Sequence, residues 1–232
     1  MSTFSRLMSD TNPKILVAST NPGKLKELRE MLAGDIEWVS LSDFPNVSEI
    51  EEDGKTFAEN ARKKAIGYAK ATGLWTLADD SGLVVDALDG QPGVKSARFA
   101  ESHRRDRKER RDILDKKNIG KLLAMLKDVP KEKKTARFMC CLCLASPPEP
   151  EKKSGGRAGP EKVLIETSGK LEGTIIEKPA GENGFGYDPI FFVPESNKTV
   201  AQMASEEKNA ISHRGNAIRS LKHSLEQLLR TA

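Results

Sequence analysis

The spacing of apolar positions changes from segment to segment along the chain, and the changes mark alternating strands and helices. Ile15-Leu16-Val17-Ala18 is a short apolar run bounded by turn residues, which predicts a buried strand. It leads into Asn21-Pro22-Gly23, after which Leu25, Leu28, Met31 and Leu32 recur at helical spacing and Gly34 closes the segment. Thr56 and Glu59 form a capping box that opens a second helix, with Ala61, Ala65 and Ala69 on one face and Gly73 as its stop. Asn60 and Lys64 are neighbours on that helix, with Lys63 adjacent, and make either a solvated face or one lip of a polar cleft. Thr76-Leu77-Ala78 and Leu83-Val84-Val85 read as two short strands flanking an Asp79-Asp80-Ser81-Gly82 turn. Ile119, Leu122, Leu123 and Leu126 predict a third helix, extended on its N-terminal side by the charge-dense residues 104–117. A long strand is expected over 137–145 and one or two more over 163–176. Ile218, Leu221, Leu225 and Leu228 line one face of a last helix over 212–229. Strands and helices mixed throughout predict an α/β fold with a mixed central sheet flanked by helices.

Length narrows the organisation. The 232 residues suffice to bury a real core, as one domain or two closely joined lobes. Residues 1–13 read as a flexible tail and 14–232 as one compact unit. Surface insertions are expected at about 101–117 and at 147–161, the second rich in Pro, Gly, Glu and Lys. The 38 Lys and Arg against 34 Asp and Glu give a net charge of +4, which suits a soluble protein that handles an anionic ligand without requiring nucleic acid. No run approaches the roughly 18 apolar residues of a membrane helix, and residues 1–10 lack the apolar centre of a secretory signal, so no membrane is expected and the cytoplasm is the expected location. Cys140, Cys141 and Cys143 have neither zinc spacing nor an even count, and read as small buried hydrophobes.

Four segments carry candidate chemistry. Gly184-Phe185-Gly186-Tyr187-Asp188-Pro189 combines permissive glycines with aromatic faces: Phe185 or Tyr187 can stack on a planar base, and Asp188, before a proline, is expected in extended backbone. Ser19-Thr20-Asn21-Pro22-Gly23-Lys24 has the make-up of a phosphate grip, with backbone donors at a helix N-terminus and a lysine. Asp79 and Asp80 place adjacent carboxylates on one loop, which repel unless a cation or proton lies between them. Oxygen ligands favour Mg²⁺, and the acidic run Glu49, Glu51, Glu52 and Asp53 offers further carboxylates. Lys208, Ser212, His213 and Arg214 gather donors suited to base carbonyls or phosphates near the start of the last helix.

Taken in order, Ser19 to Lys24, Thr56-Phe-Ala-Glu-Asn-Ala61, Ala78-Asp-Asp-Ser-Gly82, Pro92-Gly-Val-Lys-Ser-Ala-Arg98, Gly184 to Phe192 and Ser212-His-Arg-Gly215 resemble the motifs of the inosine triphosphate pyrophosphatase family, also called the Ham1 or RdgB family. The resemblance implies an elongated α/β fold with two lobes framing a nucleotide cleft, usually as a homodimer. It also implies Mg²⁺-dependent hydrolysis of ITP, dITP and XTP to the monophosphate and pyrophosphate. On the same ground, Ser19, Thr20, Asn21, Pro22, Gly23 and Lys24 would hold the triphosphate. Asp80 would be general base and metal contact, supported by Asp79, with Glu52 and Glu49 as further metal candidates. Ser81 would bind substrate, Phe185 would stack on the base, Gly186, Tyr187 and Asp188 would shape the pocket, and Lys208, His213 and Arg214 would contact base or phosphate. The segments 104–117 and 147–160 look longer than this family usually carries.

Two rival readings come from other directions. A general nucleoside triphosphate pyrophosphatase of the Maf type would act on other bases. A nucleic-acid-binding protein would use the basic face of 104–117, but Asp106, Glu109, Asp112 and Asp115 dilute its field, and 5% aromatic residues are few for a stacking platform.

Overall fold

The protein is described here from a computed structural model that covers residues 14–32, 36–100, 111–148 and 161–230. The expected N-terminal tail, Gly34 and most of the two expected insertions lie outside the described residues. The elements are β1 (Lys14–Ala18), α1 (Pro22–Met31), β2 (Glu37–Ser40), α2 (Phe57–Thr72), β3 (Trp75–Val85), α3 (Arg111–Met125), β4 (Thr135–Ser146), β5 (Lys162–Ile175), β6 (Phe191–Val193), β7 (Lys198–Thr199), α4 (Ser205–Ile211) and α5 (His213–Arg230). The seven strands form one sheet in the order β2-β1-β3-β4-β5-β6-β7. It is mixed, since β1 runs parallel to β2 and β3 while β6 is antiparallel to β5 and β7.

The chain divides into two compact units. One takes the chain up to Asp80, Cys141–Ser168 and the chain from Ala217, and the other takes Ser81–Cys140 and Gly169–Asn216. Each has its own core. In the first, the alanine face of α2 (Ala61, Ala65, Ala69) with Tyr68 packs on Leu16, Ala18, Ala78, Cys143 and Ala145 of the strands. Small side chains at α2 let the helix approach the sheet closely, and Gly67 brings it against Ile50 of the preceding loop. The second core gathers Leu83, Val85, Phe99, Leu122, Phe138, Tyr187, Phe191 and their neighbours.

The paired strands expected around an Asp-Asp-Ser-Gly turn are instead a single strand, β3, running unbroken through Asp79, Asp80, Ser81 and Gly82. Turn-forming composition loses because β3 is an inner strand, between β1 and β4, where ladder hydrogen bonds outweigh local preference. Gly82 is required there for space: a Cβ would collide with the Ser96 side chain and lie 2.9 Å from the Gly93 carbonyl oxygen. Ser96 Oγ fills that room, accepting the Leu83 N–H at 2.9 Å and donating to the Gly93 carbonyl at 2.6 Å. The 163–176 region is one strand, and Lys208 sits on a separate short helix, α4, that carries no apolar periodicity. Cys140 and Cys143 are buried as expected, and Cys141 is half-buried.

Candidate active site

In the first unit, Asn21 ends β1's turn and caps α1: its Oδ1 accepts the Gly23 and Lys24 N–H groups at 3.0 and 3.3 Å, and Pro22 occupies the first turn, where no donor is needed. Two of the helix-end donors in the expected phosphate grip are therefore engaged by the chain's own side chain. Lys24 reaches from the first turn to Asp79, a carboxylate 2% exposed. Ser19 Oγ accepts the Asn21 N–H at 3.2 Å, and Thr20 is exposed.

Successive side chains of a strand point to opposite faces, so Asp79 and Asp80 do not share one cation as a turn would require. Asp79 takes Lys24, whereas Asp80 faces α2, where Asn60 Nδ2 donates to its Oδ2 at 3.2 Å and Lys64 Nζ lies 3.4 Å from its Oδ1. The cap residue Thr56 sets this: its hydroxyl accepts the Glu59 N–H at 3.1 Å and Glu59 reaches back to the Thr56 N–H at 3.3 Å, which fixes the start of the helix one turn before Asn60. Lys64 also donates to the Asp79 carbonyl at 2.8 Å and to Glu52 at 3.1 Å. Asn60 Oδ1 meanwhile accepts the Gly54 N–H at 2.8 Å, which ties the loop bearing Glu52 to the same helix. Of the acidic run, Glu52 is the carboxylate brought beside Asp80; Glu49 and Glu51 are exposed.

Among the described residues, the ion pairs of this set join three carboxylates (Asp79, Asp80, Glu52) to two ammonium groups (Lys24, Lys64). Burial pushes the Asp80 carboxyl up, Lys64 and Lys24 pull it down, Glu52 repels it, and the outcome is a rise from 3.8 to about 6. Burial likewise opposes the charge on Glu52, but Lys64, a hydrogen bond shared with Asp80, and Lys24 hold it below the usual glutamate value. Lys64 loses from burial and gains more from Asp80, Glu52 and Asp79, so it stays firmly charged. Cys141 feels the same carboxylates: burial first, then Asp80 and Asp79, push its thiol to about 11, which leaves it inert.

Oxygen donors of this kind suit a hard cation. Among the described residues no three Asp, Glu, His or Cys side chains form a ready-made metal cage. Mg²⁺ needs none, since it is commonly held by one or two carboxylates together with substrate phosphates, and the neighbouring carboxylates Asp80 and Glu52 fit it.

The second unit holds a different set. Ser81, the residue after Asp80, accepts a hydrogen bond at 2.8 Å from Arg214 Nη2, and Arg214 is 1% exposed. The Phe185 ring is half-buried beneath two cations, Lys208 Nζ at 4.9 Å and the Arg214 guanidinium at 6.0 Å from its centroid. Asp188 secures both loop and lysine: its Oδ2 accepts the Phe185 N–H at 2.9 Å and Lys208 Nζ at 2.7 Å. Asp188 was expected in extended backbone, but it opens a short 3₁₀ helix, Asp188–Ile190, because its carboxylate bonds back to Phe185. Tyr187 is 4% exposed and donates its hydroxyl to the Ser96 carbonyl at 3.0 Å, so of the two rings Phe185 is the one left partly exposed. His213 stacks on Phe138 with ring centroids 4.9 Å apart, and Ser212 Oγ accepts the Gly215 N–H at 3.0 Å to cap α5.

Reading the sequence missed Asn60 and Lys64 as site residues, although their four-residue spacing on a polar face was the available signal. Asp115, which accepts the Gly186 N–H at 2.8 Å, gave none, being one acid in a charge-dense run.

The Ham1 family profile matches residues 15–224. The dITP/XTP pyrophosphatase of Geobacter sulfurreducens is 47% identical over 213 residues, covering 91% of this chain and 96% of the relative. Among solved structures, the Staphylococcus aureus Ham1 protein matches with a TM-score of 0.73 at 39% identity, over 92% of this chain and 98% of that one. A Ham1 protein from Coxiella burnetii gives 0.74 at 39% identity, over 93% and 99%.

Proposed function

The chain belongs to the Ham1 family, and we propose that it hydrolyses non-standard purine nucleoside triphosphates (ITP, dITP, XTP) to the monophosphate and pyrophosphate. The observation that carries this is the buried carboxylate Asp80 beside Lys64, with Lys24 held on the neighbouring Asp79. A base with a raised pKa lies next to cations that receive negative charge. Asp80 takes the proton of a water attacking the α-phosphorus, and the water oxygen bonds to phosphorus as the bond to the pyrophosphate oxygen breaks. Lys24 and Lys64 stabilise the charge that builds on the phosphate oxygens, and Asp79 holds Lys24 in place. The turn Ser19 to Gly23 meets the triphosphate through the exposed Thr20 and the Ser19 hydroxyl more than through its amides, since the Asn21 and Gly23 N–H groups are already engaged. Mg²⁺, held by Asp80 and Glu52, supplies further neutralisation of that charge when bound.

Base choice belongs to the second set. Hypoxanthine and xanthine carry an oxygen at position six, which donors such as Arg214 satisfy; the adenine amine leaves them unpaired and is rejected. Phe185 supplies the stacking face, and Lys208 and His213 complete the contacts. A homodimer and a cytoplasmic location accompany this reading; among the described residues no helix is long and apolar enough to cross a membrane.

The test is pyrophosphate release with Mg²⁺ from ITP, XTP, dITP, GTP and ATP, with an EDTA control. Strong release from the first three alone supports the proposal. Equal release from all five points to a general pyrophosphatase of the Maf type, and release of orthophosphate overturns attack at the α-phosphorus.

A further inference from the structure

We propose that Asp115 is a positioning residue for base recognition, acting through the Gly186 amide to fix the loop that carries Phe185; this rests on the functional reading above. Asp115 lies on α3, remote in sequence from the loop, and its side chain is 14% exposed. Its Oδ2 accepts the Gly186 N–H at 2.8 Å, while its Oδ1 lies 3.3 Å from Arg111 Nε, one helical turn earlier. A carboxylate acceptor makes this a stronger tie than a neutral one, and Arg111 orients it.

The geometry of Gly186 explains why the tie matters. Its φ is +63°, in the left-handed region, and a Cβ there would meet nothing within 4 Å. Glycine is needed for the backbone angle, not for room, and that angle aims the amide at Asp115. Each residue of the loop then has its own anchor: the Phe185 amide on Asp188, the Gly186 amide on Asp115, the Tyr187 hydroxyl on the Ser96 carbonyl. Two successive amides are thus engaged by the chain's own carboxylates, so the loop presents the Phe185 ring to a base, and its placement beneath Lys208 and Arg214 depends on both anchors. Asp188 is bound up with Lys208 and cannot be altered without disturbing a cation over the ring. Asp115 can be altered separately, because the core of this unit is built from other residues.

The experiment compares wild type, Asp115→Ala and Asp115→Asn for steady-state pyrophosphate release from ITP and ATP, and for ITP binding by calorimetry in EDTA. For Asp115→Ala, KM and Kd for ITP are expected to rise roughly tenfold. The ITP to ATP ratio of kcat/KM should narrow, and kcat at saturating ITP should change much less. Asp115→Asn retains an acceptor oxygen and should recover most of the loss, a rescue that a merely structural role does not predict. The proposal is overturned if Asp115→Ala lowers kcat equally for both nucleotides, if it binds ITP as wild type does, if Asn behaves like Ala, or if the Ala variant does not fold. Wild-type protein that binds ITP without releasing pyrophosphate would sink the functional reading alone, with the calorimetric arm still deciding the role of Asp115.

Discussion

The carboxylate set around Asp80 and the aromatic set around Phe185 are built on opposite principles. Around Asp80 three carboxylates crowd two lysines, and burial first, with Glu52 repulsion behind it, raises the Asp80 carboxyl to about 6 against the pull of Lys64 and Lys24. Around Phe185 the anchoring groups are matched by hydrogen-bond partners rather than by charge, with Lys208 on Asp188, Arg214 on Ser81 and Tyr187 on the Ser96 carbonyl. An unbalanced set is poised to take up a proton or a cation, which is what hydrolysis of an anhydride needs. A matched set has fixed donors, which is what telling one base from another needs.

Removing the unbalanced carboxylate should give the largest effect. Asp80→Asn is expected to lower kcat for ITP by roughly 10³-fold or more, since in the proposed mechanism it removes the general base and weakens the metal site with little change of shape. The same substitution should stabilise the metal-free protein. The folded-state pKa of Asp80 is raised, from 3.8 to about 6, so its contribution favours folding below about 4 and is lost as pH rises through about 6. Above that window Asp80→Asn should therefore unfold later than wild type in EDTA, by about 1–3 kcal/mol. Thermal melts at pH 4 and pH 7.5 check this. A variant less stable than wild type at pH 7.5 would mean that the lysines already balance the set.

Lys64→Met enlarges the imbalance instead. Glu52 and Asp80 would lose their shared ammonium, and kcat should fall about 10²-fold. Stability should fall at pH 8, where both acids are charged, and much less at pH 5, where protonation relieves them. Equal loss at both pH values would make Lys64 a packing residue. Phe185→Ala tests the matched set. Stacking is worth roughly 1–3 kcal/mol, so KM for ITP should rise about 10- to 100-fold with kcat nearly kept, measured by steady-state pyrophosphate release. A drop in kcat with KM unchanged would move Phe185 into the chemistry and blur the comparison.

The two sets also differed in how legible they were in the sequence. Lys24, Asp79, Asp80, Phe185 and Arg214 stand in short motifs, and α2 was readable from its capping box to Gly73 because cap and stop chemistry are local. The course of β3 was not, because Asp-Asp-Ser-Gly has turn composition and only its neighbours in the sheet keep it extended. That error carried into the chemistry: a turn would have put Asp79 and Asp80 side by side, whereas the strand gives each its own lysine. Short elements such as β6, β7 and α4 hold too few residues to show a period. Asp115 could not be read because its meaning lies in a partner 71 positions away.

The smallest expected effect separates the sets most cleanly. Thr56 is exposed and touches neither set, but its hydroxyl caps the helix that carries Asn60 and Lys64. Thr56→Ala removes that bond and leaves the Glu59 backbone N–H without its acceptor, while the Glu59 side chain keeps the amides of residues 55 and 56, at a cost of about 1 kcal/mol. In a chain of this size the melting temperature should drop by about 2–4 °C. Fraying at the first turn loosens Asn60, one turn on, and with it the hydrogen bond to Asp80 and the tie to Gly54. Turnover of ITP should therefore fall slightly, by about twofold, while the ratio of ITP to ATP turnover stays fixed, because no residue of the base-facing set lies on α2. A changed ratio would show that the charge-bearing helix also governs base choice, and the division between the two sets would not hold.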